Sequence, residues 1–296
     1  MKVSYRFFAK LSEMRKAGFD LPDNSQYFIV QGDDIRLDKL KKLLGDEWRN
    51  YCIVNTEFTE KERHSAPYLS IRASKILGYA QPEDTYEEVN EECLPEYPYP
   101  FDVYPCFKDV YEVAATSSNY GMLRGEQIGD FKLTGEPKWG KACIGSIFDA
   151  ADIFFTTPDI YEKIFKPLGI ECRQVLAYGN QKPLKTVVQL VSQGIAESKL
   201  ILEESLITEK YLIKEWNMTK YMLSGESFAP AFETHPGNFD FFVSQEYFGS
   251  GGINENEVFV SQRLYQLLKE NKVKGVNYYP CLSASYEPQG GRNIKK

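Results

Sequence analysis

The side chains that most often carry out chemistry in proteins are few and scattered in this sequence. Its two histidines, His64 and His235, lack the i, i+4 partner or the neighbouring cysteines that a zinc site requires. Its cysteines form no Cys-x-x-Cys pair, and no histidine stands near one to activate a catalytic thiol. We therefore expect six free thiols and no metal ion. The cysteines are Cys52, Cys93, Cys106, Cys143, Cys172 and Cys281.

Two glycine clusters have the density of nucleotide-binding loops but not their spacing. Residues 121–131 lack the Gly-Lys-Ser/Thr ending of a P-loop, and residues 249–252 lead into a strand rather than a helix. Turns that need a positive φ explain both clusters, so we expect no bound cofactor. Adjacent carboxylates such as Glu203 and Glu204 are typical of a solvated surface. The sequence contains no catalytic constellation and predicts a protein that is not an enzyme.

The alternative to this interpretation is an enzyme whose site assembles only on folding. One example is a hydrolase that pairs His64 or His235 with a carboxylate. Either histidine in a deep pocket, within hydrogen-bond distance of an acid and a nucleophile, would favour this alternative. A scaffold protein is the third possibility.

The composition is typical of a soluble globular protein. The 296 residues are 43% apolar, which is enough for one or two hydrophobic cores. The longest apolar runs are far shorter than the roughly 20 residues that span a bilayer, and residues 1–11 do not resemble a secretory signal. We therefore expect a cytoplasmic protein that does not bind a membrane. The net charge of −7 disfavours nucleic acid as a partner and favours a basic protein.

Strand and helix patterns locate the first elements of the chain. Short aromatic or β-branched runs beside turn formers predict strands at residues 4–10, 26–31 and 51–58. From Ile35 to Trp48, apolar residues recur every three or four positions, which predicts an amphipathic helix capped by Asp33 or Asp34.

The stretch from Pro82 to Glu96 carries seven acids and no Lys or Arg, and prolines follow it closely. Like charges and proline both disfavour regular structure, so we predict a boundary here between an N-terminal α+β region (1–95) and a C-terminal α+β domain (96–296). A solvated loop and a docking surface for a basic partner are both open interpretations of the stretch. The candidate partner-binding residues are Glu83, Asp84, Tyr86, Glu87, Glu88, Glu91, Glu92, Glu96, Tyr97 and Tyr99.

A strand-helix-strand pattern occurs twice in the C-terminal part, over about 150–178 and about 256–282. Residues 155–164 match 259–268, and after a two-residue difference residues 169–172 match 275–278. In each copy a hydroxyl residue, Thr157 or Ser261, is expected to cap the helix, and a glycine, Gly169 or Gly275, to end it. The sequence therefore predicts an α+β fold of mixed sheets with short helices and two similar strand-helix-strand units.

A glycine-rich motif precedes the first of these units. Its residues are Gly121, Leu123, Gly125, Gly129, Asp130 and Phe131, in the pattern Gly-x-Leu-x-Gly...Gly-Asp-Phe. Together with the order of residues 240–242, 258–261 and 275–276, the motif makes residues 100–282 resemble the double Cys-x-x-Cys-Gly family of bacterial immunity proteins, from polymorphic toxin systems. The resemblance implies a protein that binds a cognate toxin and blocks its active surface, with no reaction of its own.

The zinc-binding cysteine pairs that give this family its name do not occur in this chain. Cys106 stands alone near the position of the first pair, and residues 216–221 lie near that of the second. The resemblance therefore does not imply a zinc site in this chain. We expect packing around Trp216 and Tyr221 to replace the contribution of zinc to folding. Charge and resemblance together imply a basic toxin, such as a nuclease, as the partner.

Overall fold

The computed structural model describes most of the chain, with gaps. The described residues are 2–8, 11–22, 25, 27–45, 48, 51–82, 105–117, 121–148, 150–202, 207–223, 230–249 and 254–281. They form mixed sheets with short helices, which confirms the predicted α+β class. Within these residues no helix has both the length and the apolar character that crossing a membrane requires.

The first three strands form an antiparallel sheet that packs against two helices. The strands are β1 (Lys2–Phe8), β2 (Tyr27–Gln31) and β3 (Cys52–Glu57), and the helices are α1 (Leu11–Ala17) and α2 (Leu37–Leu44). β1 lies in the centre and pairs with both neighbours. Side chains alternate between the faces of the strands, so Phe7 and Val30 are buried with Leu40 of α2. The three predicted strands are confirmed close to their predicted bounds.

Helix α2 begins later than the sequence predicts, and the prediction of an aspartate cap is wrong. The N-cap residue is Arg36, without a capping hydrogen bond from its side chain. The carboxylate of Asp34 instead accepts hydrogen bonds from the backbone N–H and from Nε of Arg36, each at 2.9 Å. Ile35 therefore precedes the helix and is exposed.

A helix and a strand connect the N-terminal sheet to a larger sheet of the C-terminal part. Helix α3 (Glu60–Ser65) begins with a capping box, in which the Thr59 hydroxyl accepts a hydrogen bond from Glu62 N at 3.2 Å and the Glu62 carboxylate accepts one from Thr59 N at 2.7 Å. Strand β4 (Tyr68–Ala73) follows and pairs with two C-terminal strands. Residues 68–73 thus belong to a C-terminal sheet, whereas the predicted boundary after residue 95 lies outside the described residues.

A hairpin and a five-stranded sheet form the middle of the chain. A short helix, α4 (Pro105–Lys108), precedes the hairpin of β5 (Tyr111–Ser117) and β6 (Gly121–Gln127). The sheet strands are β7 (Lys132–Leu133), β8 (Ile144–Ile147), β9 (Ala150–Thr156), β10 (Cys172–Ala177) and β11 (Pro183–Leu190), in the order β7-β10-β11-β9-β8. After β9, α5 (Pro158–Ile160) continues directly into a π-helical turn (Tyr161–Phe165) and a 3-10 turn (Lys166–Leu168).

A six-stranded sheet contains the C-terminal elements. Its remaining strands are β12 (Ile207–Ile213), β13 (Met218–Leu223), β14 (Phe241–Phe248), β15 (Glu255–Ser261) and β16 (Val276–Pro280), in the order β12-β13-β14-β15-β4-β16. A 3-10 turn (Lys214–Trp216) connects β12 to β13, and helix α6 (Gln262–Glu270) connects β15 to β16. β13 and β14 pair in parallel, and the other neighbours are antiparallel.

The predicted pair of strand-helix-strand units is confirmed and extends to four strands in each copy. Unit 1 has the spatial order β10-β11-β9-β8, and unit 2 has the order β16-β4-β15-β14. In both units a hairpin leads into the helix, and the strand before the helix is separated from the strand after it by one antiparallel strand. The separating strand of unit 1 is β11, which follows the helix in sequence. In unit 2 it is β4, which lies far upstream of the helix.

The two units share one hydrophobic core. Phe154 and Ile164 of unit 1 are buried in the same cluster as Leu264 and Leu268 of unit 2. The neighbouring residues of β9 and β15 point away from this core: Phe155 packs in a cluster under the hairpin, and the matching phenylalanine of β15 in a separate cluster. Matched positions therefore face the same way in both copies.

Two glycine predictions need correction. A positive φ does not explain Gly129, where a Cβ would lie 2.0 Å from the carbonyl oxygen of Asp109, so its role is close backbone approach. Gly249 does have the predicted positive φ, of 115°. Gly275 does not end helix α6, because the helix stops at Glu270 and Lys272, with φ 53°, follows it.

Candidate functional site

A cleft of about 510 Å³ opens between the two units. Strands β8 and β9 of unit 1 line it together with β4, β14 and β15 of unit 2. The charged side chains of its wall are Asp152 on β9, Glu255 and Glu257 on β15, and Arg72 on β4. Three carboxylates and one arginine therefore meet in one concave surface, which is the usual setting of a binding site.

Asp152 is held in the wall by a buried ion pair. Arg124 of β6 donates from Nη2 to Asp152 Oδ2, and the two side chains are only 8% and 6% exposed. The same Nη2 donates to the carbonyl of Asn254 at 3.0 Å, and the guanidinium lies 5.4 Å from the ring centre of Tyr111. Burial alone would lower the pKa of Arg124, but the Asp152 carboxylate raises it. The pair thus joins the hairpin to the cleft.

Glu255 is a carboxylate in an unfavourable electrostatic position. Burial raises its pKa, and the neighbouring Asp152 raises it further, although a hydrogen bond from Ala151 N to Oε1 at 2.7 Å favours the ionised form. On the same strand, Glu257 accepts a hydrogen bond from the Ser70 hydroxyl and lies 3.7 Å from Arg72 Nε. The two acids of β15 therefore differ: Glu257 has Arg72 as a nearby cation, whereas Glu255 lies in the opposing fields of Asp152 and Arg124.

Lys220 of β13 is a second titratable group with a perturbed pKa near the cleft. Its side chain lies within the six-stranded sheet and the residue is 2% exposed. Burial lowers the pKa of Lys220 to about 8, and the charge of Glu255 opposes this shift. Burial thus raises the pKa of Glu255, which lines the cleft, and lowers the pKa of Lys220, which lies on β13 outside the cleft wall.

Exposed apolar side chains lie at the mouth of the cleft, where Ile76 and Phe148 line it and Tyr79 stacks on Phe148. The rings of Tyr79 and Phe148 stack with their centres 4.4 Å apart and their planes at 19°. Both are 44% exposed, and Ile76 beside the cleft is 38% exposed. Exposed aromatic and aliphatic groups beside a cleft that contains charged residues are typical of protein-binding surfaces.

The two histidines lie outside this cleft. His64 is exposed on α3, where Nδ1 donates to the Glu60 carbonyl at 2.7 Å. His235 is exposed as well: its Nε2 lies 2.8 Å from the Tyr68 hydroxyl, and its Nδ1 accepts a hydrogen bond from Gly237 N at 3.2 Å. Both rings are therefore held by local contacts at the surface.

The described cysteines are free thiols. Cys52, Cys143 and Cys172 are half-buried, whereas Cys106 and Cys281 are buried. The thiol of Cys281 donates to the Pro230 carbonyl at 2.7 Å, and burial raises its pKa to about 12. Such a thiol is unreactive at neutral pH. Cys93 lies outside the described residues.

Cys106 and Tyr221, which lie near the positions where the sequence resemblance would place zinc ligands, pack in separate places. Cys106 is buried in the cluster of Phe131, whereas Tyr221 packs in another cluster, with its ring 6.1 Å from that of Phe248. Among the residues that the structure describes, no group of three His, Cys, Asp or Glu side chains could hold a metal ion.

All ten predicted partner-binding residues, between Glu83 and Tyr99, lie outside the described residues, as do Glu203 and Glu204. Sequence reasoning missed the residues of the cleft. One signal was available, because Asp152 is a carboxylate inside the otherwise apolar strand β9. Glu255 and Arg124 carried no comparable signal, since their strands are rich in polar residues.

Comparison with known proteins returned no relative of this chain: no family model, no curated protein and no solved structure matches it.

Proposed function

We propose that this protein is a non-enzymatic, immunity-type inhibitor that binds a cognate bacterial toxin with a basic surface. The observation that carries the proposal is the cleft, which carboxylates line together with exposed Phe148 and Ile76, and Tyr79 stacks on Phe148 beside it. Apolar anchors around a complementary charge are what a tight protein interface requires. The sequence resemblance supports the same function.

The distribution of acids along the chain supports a basic partner. The acidic stretch begins at Glu83, only four positions after Tyr79 at the mouth of the cleft. Opposite charge accelerates encounter, whereas buried contacts slow dissociation. In this proposal the stretch attracts the toxin and the cleft anchors it, and both proteins meet in the cytoplasm.

One observation favours a second candidate, an enzyme with its site in the cleft. Burial raises the pKa of Glu255, which lines the cleft, and lowers that of Lys220 on β13, and perturbed pKa values are frequent at catalytic sites. The histidine-based hydrolase has less support, because His64 and His235 lie outside the cleft. Substrate turnover that is lost in Glu255→Gln would establish the enzyme and overturn the inhibitor.

Association kinetics with the co-purified toxin test the proposal. Replacing Glu87, Glu88, Glu91 and Glu92 by Gln removes four charges from the acidic stretch. We expect association at low salt to slow by about tenfold, and its salt dependence to flatten. Unchanged kinetics would remove the stretch from the interface.

The matched control removes the same number of charges elsewhere. Asp20, Asp38, Glu126 and Glu270 are exposed, and their replacement by Asn or Gln changes the net charge equally. A smaller effect in this control than in the stretch variant supports local steering. An equal decrease of the association rate in both variants would show that only the net charge of the protein affects this rate.

A further inference from the structure

We propose that the cleft is a receptor for a guanidinium group, namely an arginine side chain on the surface of the partner. This inference rests on the proposed function, since it names the chemical group that the inhibitor recognises. It assigns Glu255 as the hydrogen-bond acceptor for the guanidinium, Asp152 as a second negative charge in the wall, and Phe148 as the ring on which the guanidinium stacks.

The wall of the cleft has a carboxylate oxygen to which no described residue donates, Glu255 Oε2, since Glu255 uses Oε1 to accept from Ala151 N. Asp152 is engaged at Oδ2 by Arg124 and by Asn256 N at 3.2 Å, and its Oδ1 is itself buried, so Asp152 contributes negative charge rather than a direct contact. A ligand with several N–H groups can donate to Glu255 Oε2 in a charge-assisted hydrogen bond.

The charged groups on the surrounding strands bear on whether the cleft binds a cation or an anion. Arg124 from β6 is engaged by Asp152, and Arg72 from β4 is next to Glu257. Lys220 from β13 is buried in its sheet, and with a pKa of about 8 it stays mostly protonated at neutral pH. Burial and the charge of Asp152 raise the pKa of Glu255, and the charge of Arg124 offsets this only in part, so a bound cation would favour the ionised form of Glu255.

The aromatic rim favours arginine over lysine. Phe148 lines the cleft, and the parallel ring of Tyr79 at 4.4 Å supports it. A planar guanidinium stacks on such a ring and still presents its N–H groups to carboxylates at its edge, which an ammonium group cannot do equally well. The volume of about 510 Å³ lies within the range of about 300–1,000 Å³ found for sites that hold small ligands.

Binding of a capped amino acid to the isolated protein tests this inference without the toxin. The probe is N-acetyl-arginine methylamide, and the neutral control of the same shape is N-acetyl-citrulline methylamide. We expect the arginine probe to shift the methyl NMR signals of Ile76 and Met222, which line the cleft, and to saturate at millimolar concentration. Citrulline that shifts the same signals with equal affinity, or arginine that shifts none, would overturn the inference.

Three variants locate the site. Glu255→Gln and Phe148→Leu should each weaken the arginine probe by about fivefold to tenfold, and Glu270→Gln, at an exposed position on α6, should leave it unchanged. Glu255→Gln should fold normally, because an amide oxygen can keep the hydrogen bond from Ala151 N and burial of a charge is avoided. Equal affinity in all three variants contradicts the assignment.

The pH dependence adds a further check. Because the pKa of Glu255 is raised, its carboxyl takes up a proton at a higher pH than an ordinary glutamate, and the protonated form cannot pair with a cation. Affinity for arginine should therefore fall as pH decreases, and Glu255→Gln should lose most of this dependence. A lysine probe that binds as tightly as arginine would contradict the stacking role of Phe148.

The two proposals can fail separately. A toxin that binds the wild type and Glu255→Gln equally well overturns the arginine receptor and leaves the inhibitor intact. Arginine binding in the cleft of a protein that also turns over a substrate supports the receptor and overturns the inhibitor.

Discussion

Unit 1 and unit 2 have the same strand order but start and stop their helices differently. In unit 2 the Ser261 hydroxyl accepts a hydrogen bond from Leu264 N at 3.1 Å. In unit 1 Thr157 stands at the N-cap without a capping hydrogen bond, and its buried hydroxyl has no partner among the described residues. The comparison teaches that alternation along the strands and the shared core determine this architecture, while the caps can vary.

The spacing from the N-cap residue to the residue with positive φ after the helix also differs by one residue between the units. Gly169 follows Thr157 by twelve positions, and Lys272 follows Ser261 by eleven. Both helices close alike, with Ile170 N donating to the Phe165 carbonyl at 3.2 Å and Val273 N donating to that of Leu268 at 2.9 Å. The π-helical turn of unit 1 takes up the extra residue, which is how such turns usually arise.

The largest expected effect comes from the core that joins the units. Leu264→Ala should lower the free energy of unfolding by about 3 kcal/mol, because Leu264 is fully buried in the shared cluster. Denaturant titration measures the loss, and Leu267→Ala, at a half-buried position, should cost less. Hydrogen exchange should accelerate in both β9 and β15. Faster exchange in unit 2 alone would show that the units are energetically separate.

The two matched glycines should respond unequally to substitution. Gly275→Ala should cost about 3 kcal/mol, since φ is 111° and the new Cβ would lie 1.9 Å from the Ile144 carbonyl oxygen. Gly169→Ala should cost only about 1 kcal/mol, because no neighbouring atom lies within 4 Å and only the left-handed backbone opposes it. Equal losses in thermal unfolding would contradict the distinct roles assigned to them.

Removing the hydroxyl group of the N-cap residue should have opposite effects on stability in the two units. Ser261→Ala should destabilise by about 1 kcal/mol through loss of the cap. Thr157→Val should be neutral or stabilising by up to about 1 kcal/mol, since it removes a buried hydroxyl that has no described partner. The denaturation midpoints of the two variants measure both effects. A lower midpoint for Thr157→Val would show that the Thr157 hydroxyl does stabilise the helix of unit 1.

The smallest expected effect concerns the end of helix α6. Lys272→Gly gives unit 2 the kind of helix stop that unit 1 has in Gly169, and should stabilise by about 0.5 kcal/mol, because glycine adopts a positive φ without strain. The gain is measured as a rise in melting temperature. A lower melting temperature would mean that the Lys272 side chain stabilises the fold by more than the positive φ destabilises it.

The repeat could be predicted because it depends on local signals. An apolar strand, a hydroxyl residue and an amphipathic helix occur together in each copy. The role of Gly275 could not be predicted, since only the fold brings it against Ile144 of the other unit. The cleft was missed for the same reason: Asp152 and Glu255 come from different copies of the repeat, and their neighbourhood depends on how the units pack.

Photo-crosslinking from the mouth of the cleft tests the central claim most directly, that the cleft binds a basic protein without chemical change. A photoreactive side chain replaces Ile76, which is partly exposed there, and the adduct formed in native-host lysate is mapped by mass spectrometry. The account predicts an adduct with an arginine-containing segment of a toxin whose activity is inhibited, with a lower yield in Glu255→Gln and an unchanged yield in Glu270→Gln. An adduct of equal yield in Glu255→Gln, or a toxin that remains active in the complex, would contradict it.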